Sequence, residues 1–378
     1  MIGTAEESFE LGPIRPPSEA FSLLIRVTRN CPWNRCKFCP IYKDAKFQLR
    51  SVEEVKRDID MAKAIQDKIK KIAKKNSENL REIAASVYNN PPNESYRNVA
   101  LWMYAGGKHV FLQDANTLIM KTADLVGIIR YLKKTFPEID RITSYARSHT
   151  IARKSVEELK ELYEAGLSRI HIGMESGYDP VLEFLDKGVT AADHITAGQN
   201  VVDSGISLCE YVMLGAGGKT WWREHALETA EALNKISPDY IRFRTLTIQP
   251  RMPLYNNVES GEFVRATDEE IIEEERLLIQ NLYCPAQIVS DHMINLLPEV
   301  EGRLPEDKEK MLAVIERFQS LSPEEKDIYK LGRRLGLVNR LEDLTDVNLR
   351  KQVEGVMARL GEEGVSDELL YGLMERYI

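Results

Sequence analysis

Arg29-Asn-Cys31-Pro-Trp-Asn-Arg-Cys36-Lys-Phe-Cys39-Pro-Ile-Tyr-Lys43 is the stretch that decides how this chain is read. Three cysteines fall within nine residues, and the other two of the five stand alone at 209 and 284. The triad follows directly on Phe21-Ser-Leu-Leu-Ile-Arg-Val-Thr28, an apolar and β-branched run that reads as a strand. The carboxyl end of a parallel strand is where α/β proteins assemble their active sites. Three thiolates could hold three irons of a 4Fe–4S cluster and leave one iron open, whereas an electron-transfer cluster takes four. A structural zinc also takes four protein ligands, and Cys209, Cys284 or a distant histidine could complete such a set through the fold.

The surrounding composition narrows the classes. The 378 residues are 43% apolar and 29% charged, which is globular and not disordered. The net charge of −8 disfavours a nucleic-acid partner, since a phosphate backbone repels it. No apolar run approaches the ~18 residues of a membrane span. The start, Met1-Ile-Gly-Thr-Ala-Glu-Glu-Ser8, carries acids where a signal peptide needs bases. These features predict a cytoplasmic, reducing location, where clustered cysteines mean metal or redox chemistry rather than disulfides.

Beyond the loop, short apolar runs alternate with amphipathic stretches, the signature of βαβ units and a parallel sheet. Further strands are expected at 108–113, 141–145, 168–174, 206–214 and 240–247, with helices near 120–135, 154–165, 191–204, 222–235 and 267–282. Gly166 and Gly205 sit where helices end. About eighty residues separate the first two strands, and they open on Ser51-x-x-Glu54, a capping box. One long helix to about Tyr88 is expected there, stopped by Asn89-Asn-Pro-Pro-Asn93. Its residues 63–75 hold six lysines and one aspartate, a solvated face or a dock for an acidic electron donor. After residue 283 the strand pattern stops, and helices are expected at 305–321, 323–335, 346–360 and 366–377.

The cysteine loop resembles that of the radical S-adenosylmethionine (SAM) superfamily. The usual spacing there is three residues, then two; this chain has four, then two. In this it is similar to oxygen-independent coproporphyrinogen-oxidase-like and uncharacterised members whose loop also reads Cys-Pro-x-Asn-x-Cys-x-Phe-Cys. The resemblance runs over residues 20–285. It implies a partial (β/α)6 TIM-like barrel at 21–285, with a helical insertion at about 51–98. A 1–20 extension precedes the barrel and a helical domain, 286–378, follows it. It implies one 4Fe–4S cluster on Cys31, Cys36 and Cys39, with SAM at the open iron, and oxygen-sensitive, anaerobic chemistry. Phe38, before the last cysteine, fits the family pattern. Gln113-Asp-Ala-Asn116 stands where the family holds the methionine ammonium; it lacks Gly-Gly-Glu but offers Asp114 as acceptor. Ser144 closes the third strand beside it. Gly173-Met-Glu-Ser-Gly177 matches a segment in which Glu175 and Ser176 face the ribose or methionine, and Lys187 stands where a base meets the methionine carboxylate. The turn at Gly215 and the Thr247–Gln249 stretch correspond to the adenine contacts.

By the same resemblance the enzyme cleaves SAM reductively and abstracts hydrogen from a small anionic substrate, with flavodoxin or ferredoxin as reductant. Substrate candidates are the strand-end side chains Tyr145, Arg147, His171 and Arg244, with His292 just beyond the barrel. Arg242 and Arg244 share a face of one strand and suit a carboxylate or phosphate. Each arginine also reads as a partner in an ion pair, and His171, between Ile170 and Ile172, also reads as a core histidine. Ser290-Asp-His292 is a poor hydrolase set, its members being adjacent in sequence. Only about twenty residues precede the first strand, so no cobalamin domain is expected ahead of it. Two alternatives stand beside this reading. One is a non-catalytic Fe–S or zinc protein on the same fold; the other is radical-based RNA modification, supported by the lysine run.

Overall fold

The computed structural model describes residues 6–360 and 364–375. Its strands are β1 (Leu23–Arg26), β2 (Thr28–Arg29), β3 (Gln48–Leu49), β4 (His109–Gln113), β5 (Arg141–Ala146), β6 (Leu167–Glu175), β7 (Ser207–Leu214), β8 (Tyr240–Thr245), β9 (Gln287–Val289) and β10 (Gly302–Arg303). All six expected strands are present, in the sheet order β1-β4-β5-β6-β7-β8. The pairs β1–β4, β4–β5, β5–β6, β7–β8 and β8–β9 are parallel. The parallel α/β class therefore holds. Four short strands were not expected. β2 and β3 form an antiparallel pair around the cysteine loop, and β9 and β10 end the sheet after residue 283. Runs of two or three residues are too short to leave a period in the sequence.

The chain divides into two compact units: residues 1–34, 41–172 and 200–208, then 35–40, 173–199 and 209–378. In the first, Ser51 and Glu54 form the predicted capping box on the helix Val52–Asn76. That helix buries Val55, Ile59, Ala62, Ile65, Ile69 and Ala73 at helical spacing. It does not run on to Tyr88. Ser77 turns left-handed at φ 55°, and a second helix, Leu80–Asn89, starts from an Asn79 cap. A third, Glu94–Tyr104, was missed; it buries Trp102, whose ring meets Phe136 edge-on at 5.3 Å. The lysines split: Lys63 pairs with Asp67 and Lys68 with Glu7, while Lys70, Lys71, Lys74 and Lys75 stay exposed. Gly166 caps its helix at φ 121°, and Gly205 lies at φ 86°, positions that favour glycine.

In the second unit the helical tail is as expected: Lys308–Gln319, Pro323–Leu335, Val347–Leu360 and Asp367–Met374. The expected end of the last helix at Tyr377 lies outside the described residues. Within this unit Arg334 is buried and pairs with Asp268, donating also to the Ile294 carbonyl at 2.5 Å. Removing one partner of a buried pair strands the other charge, so Asp268→Ala is expected to cost about 3–5 kcal/mol. Urea unfolding followed by circular dichroism measures it. A loss below about 1 kcal/mol would show that Arg334 finds water instead.

Candidate active site

The amino-terminal part of the cysteine loop is organised by a buried carboxylate. Asp114 is fully buried at the end of β4. One of its oxygens takes Arg26 at 2.8 Å and the Asn30 backbone N–H at 3.2 Å, and the other takes the Tyr42 hydroxyl. Arg26 also donates to the Asn30 side chain at 3.1 Å and to Glu10 at 2.9 Å. Asn30 and Asn34 sit at φ 68° and 51°, a left-handed conformation that asparagine tolerates better than most residues. Asn34 donates its backbone N–H toward the Cys31 sulfur at 3.4 Å and its amide to the Ala45 carbonyl at 3.3 Å. Glu10 also takes Arg29, and that hydrogen bond, first among its causes, holds the Glu10 carboxyl below the usual range.

The expected SAM contacts in this unit are inward but already engaged. The Gln113 amide exchanges hydrogen bonds with Gly12 at 2.8 and 3.1 Å and donates to the Ile14 carbonyl at 2.6 Å. Asn116 bridges Thr150 (2.8 Å) and the Arg147 backbone (3.1 Å). Ser144 donates to carbonyls of Leu112 and Tyr145. Tyr145 meets Phe111 and His171 edge-on, at 5.1 and 6.0 Å, and Arg147 lies over Trp33 at 5.1 Å. None of the five cysteines is in a disulfide; Cys31, Cys36 and Cys39 are partly exposed and Cys209 and Cys284 are buried. Burial raises the Cys284 thiol to about 11, so it stays protonated. Among the described residues no three His, Cys, Asp or Glu side chains are gathered as ligands of a single metal ion.

In the second unit, the carboxyl-terminal part of the loop is tied by its backbone. Lys37 N–H donates to Leu185 O at 2.9 Å, and Lys37 O accepts from Leu254 N–H at 3.0 Å. Phe38 packs on a core of Val181, Leu185, Met213, Ala216, Ile248 and Leu254. Lys187 Nζ lies 5.6 Å from the centre of the Phe38 ring and 2.9 Å from Glu175 Oε1. Glu175, expected at the ribose or methionine, and Lys187, expected at the methionine carboxylate, thus pair with each other. Glu175 holds φ 67°, and a Cβ on Gly173 would lie 2.4 Å from its Oε1.

Ser176, His225 and Glu274 form a chain that sequence reading missed, although Ser176 itself was singled out. Ser176 Oγ meets His225 Nδ1 at 2.8 Å; His225 Nε2 faces Met213 O at 3.2 Å and Glu274 Oε1 at 3.4 Å. Both Nε2 neighbours are acceptors, so the proton sits on Nε2 and Ser176 donates to Nδ1. Glu274 also accepts the Gly215 N–H at 2.8 Å. All three side chains are fully buried, which removes Ser176 from any nucleophilic role. The signal was present in Ile271-Ile-Glu-Glu-Glu-Arg-Leu-Leu-Ile279, where glutamates occupy apolar positions of a helix.

A pocket in the same unit is lined by Gly215, Leu246, Thr247, Ile248, Arg265 and Tyr371. Thr247 Oγ1 is buried there with no hydrogen-bond partner among the described residues. Gln249 accepts from Arg251 at 2.7 Å and donates to the Glu375 carbonyl at 3.1 Å. Tyr371, from the tail, donates to Ala266 O at 2.7 Å. No spacing in the sequence links residue 371 to residue 215. Of the substrate candidates here, Arg244 and His292 are both half-buried. Ser290 is spent on Asn295 and Leu297, consistent with its poor standing as a nucleophile.

No family model matches the chain. Over 220 residues it is 25% identical to an uncharacterised protein of Methanocaldococcus jannaschii, taking in 58% of this chain and 60% of that one. Over 118 residues it is 26% identical to the tRNA uridine(34) acetyltransferase of the same organism, 31% of this chain and 22% of that one. The chain thus spans less than two thirds of either relative. Among solved structures, it is similar to a cobalamin-dependent S-adenosylmethionine radical enzyme, OxsB, with aqua-cobalamin bound. That match has a TM-score of 0.47 at 16% identity, over 94% of this chain and 53% of that one.

Glu275, beside Glu274, is buried, and desolvation first, then the neighbouring carboxylate, raises it from 4.5 to about 8. Between those values the folded chain keeps a proton that the unfolded chain has lost, so stability is full below about 4.5 and declines as pH rises to about 8. Glu275→Gln is expected to flatten that decline in urea titrations at several pH values. A decline of the same slope in the variant would assign it to other groups.

Proposed function

We propose that the chain is a radical SAM enzyme. The observation that carries this is the three-thiol loop placed directly after β1, with Cys31, Cys36 and Cys39 outside any disulfide and partly exposed. The donor set fits: three thiols suit a 4Fe–4S cluster with one open iron. When bound, the cluster supplies an electron that splits SAM into methionine and a 5′-deoxyadenosyl radical, which takes hydrogen from substrate. The chain's part is orientation and exclusion of water.

Lys187 and Glu175 are opposite charges 2.9 Å apart, and a methionine zwitterion can take up both. Asp114, with both oxygens committed, holds the loop rather than the ligand. The Thr247 hydroxyl, without a hydrogen-bond partner among the described residues, gives the Gly215–Tyr371 pocket a polar group for an adenosine. Tyr145, Arg147, His171, Arg244 and His292 are the candidates for meeting a small anionic substrate. The exposed lysines 70, 71, 74 and 75 offer an acidic flavodoxin or ferredoxin a docking face. Among the described residues no helix is long and apolar enough to cross a membrane, and we place the enzyme in the cytoplasm.

The test is anaerobic reconstitution. About four irons with matching sulfide are expected per chain, and 5′-deoxyadenosine on reduction with SAM. Cys36→Ala should abolish both. Zinc without sulfide would overturn the reading in favour of a non-catalytic metal protein. The alignment with tRNA uridine(34) acetyltransferase supports a second reading, radical chemistry on RNA. It requires tRNA binding that weakens steeply with salt; binding that is absent at low salt removes it.

A further inference from the structure

β7 and β8 run parallel with Tyr211 beside Arg242 and Met213 beside Arg244, so these four side chains share one face. The two arginines differ in charge balance. Arg242 is nearly buried and pairs with Asp291, which leaves no net charge. Arg244 has no carboxylate within ion-pair distance among the described residues, and its guanidinium lies 5.6 Å from the centre of the Tyr211 ring. His292 follows Asp291 in the chain, and its Nδ1 accepts the Ile294 N–H at 3.4 Å. A neutral ring in that position carries its proton on Nε2, and Nε2 has no hydrogen-bond partner among the described residues. Burial first, then the Arg244 charge, lowers His292 to about 4, so the ring is neutral at ordinary pH.

We propose that Arg244, backed by the Tyr211 ring and assisted by the His292 Nε2–H, is a binding site for a single carboxylate. The proposal rests on the enzyme reading above only in making that carboxylate part of the substrate. The charge decides between classes of anion. One uncompensated guanidinium balances one negative charge, and its planar fork matches two carboxylate oxygens. The neutral imidazole adds a donor and no charge. A phosphate dianion would leave one charge unmatched in a half-buried place.

The test needs neither SAM nor cluster, so its failure leaves SAM cleavage standing, and failure of SAM cleavage leaves this site standing. The full chain is titrated with sodium acetate, and with inorganic phosphate at equal ionic strength, while the His292 ring is followed by NMR. Its signal is assigned by loss in His292→Gln. Saturable acetate binding should raise the His292 pKa, since a negative charge arrives beside it. Arg244→Gln should weaken acetate binding by about tenfold or more, and Arg244→Lys, which keeps the charge but not the fork, by less. Asp291→Asn, which frees a second positive charge, should shift preference toward phosphate. An unchanged acetate response in Arg244→Gln, no saturable response in the folded wild type, or tighter binding of phosphate than of acetate would each overturn the proposal.

Discussion

The arrangement around Cys31 depends on one buried carboxylate. A charge removed from water costs several kcal/mol unless hydrogen bonds and an opposite charge replace its hydration. Asp114 has no exposed surface, so its partners are not optional. They come from β1 (Arg26), the residue before Cys31 (Asn30) and the segment after the loop (Tyr42). A loop of this length with two left-handed asparagines has many conformations open to it. Anchoring both of its ends to one carboxylate restricts them before any ligand is bound, which is what a preorganised site requires.

That anchor was only half legible in the sequence. Its place after the second strand marks Asp114, and the resemblance points the acid at a ligand. The structure gives it to Arg26 and Tyr42, residues 88 and 72 positions away. Periodicity reports which face of an element is buried and says nothing about which buried charges meet. For the same reason the six parallel strands were readable from alternation, while His225 with Glu274 and Tyr371 with the Gly215 pocket were not. The long helix failed for a local reason. Nothing apolar changes at Ser77, yet the residue adopts the left-handed cap that ends the first helix, and the pattern alone runs through it.

Where a motif was read by resemblance, the backbone supplies the reason for its letters. In Gly173-Met-Glu-Ser-Gly177, a side chain at 173 would collide with the Glu175 carboxylate at 2.4 Å, and one at 177 with the Glu228 carbonyl at 2.6 Å. Glu175 is held at φ 67°, a conformation that costs roughly 1–2 kcal/mol for a residue with a Cβ. The next residue, Ser176, is fixed by His225, and the Gly177 N–H by Thr229 at 2.8 Å. Two glycines make room and a buried hydrogen-bond chain holds the turn, so that one carboxylate leaves the strand end aimed at Lys187. A strained residue held on both sides in this way marks a place where geometry has been kept at the expense of stability. The letters of this segment are therefore set by backbone and packing constraints, and the ion pair is what those constraints deliver.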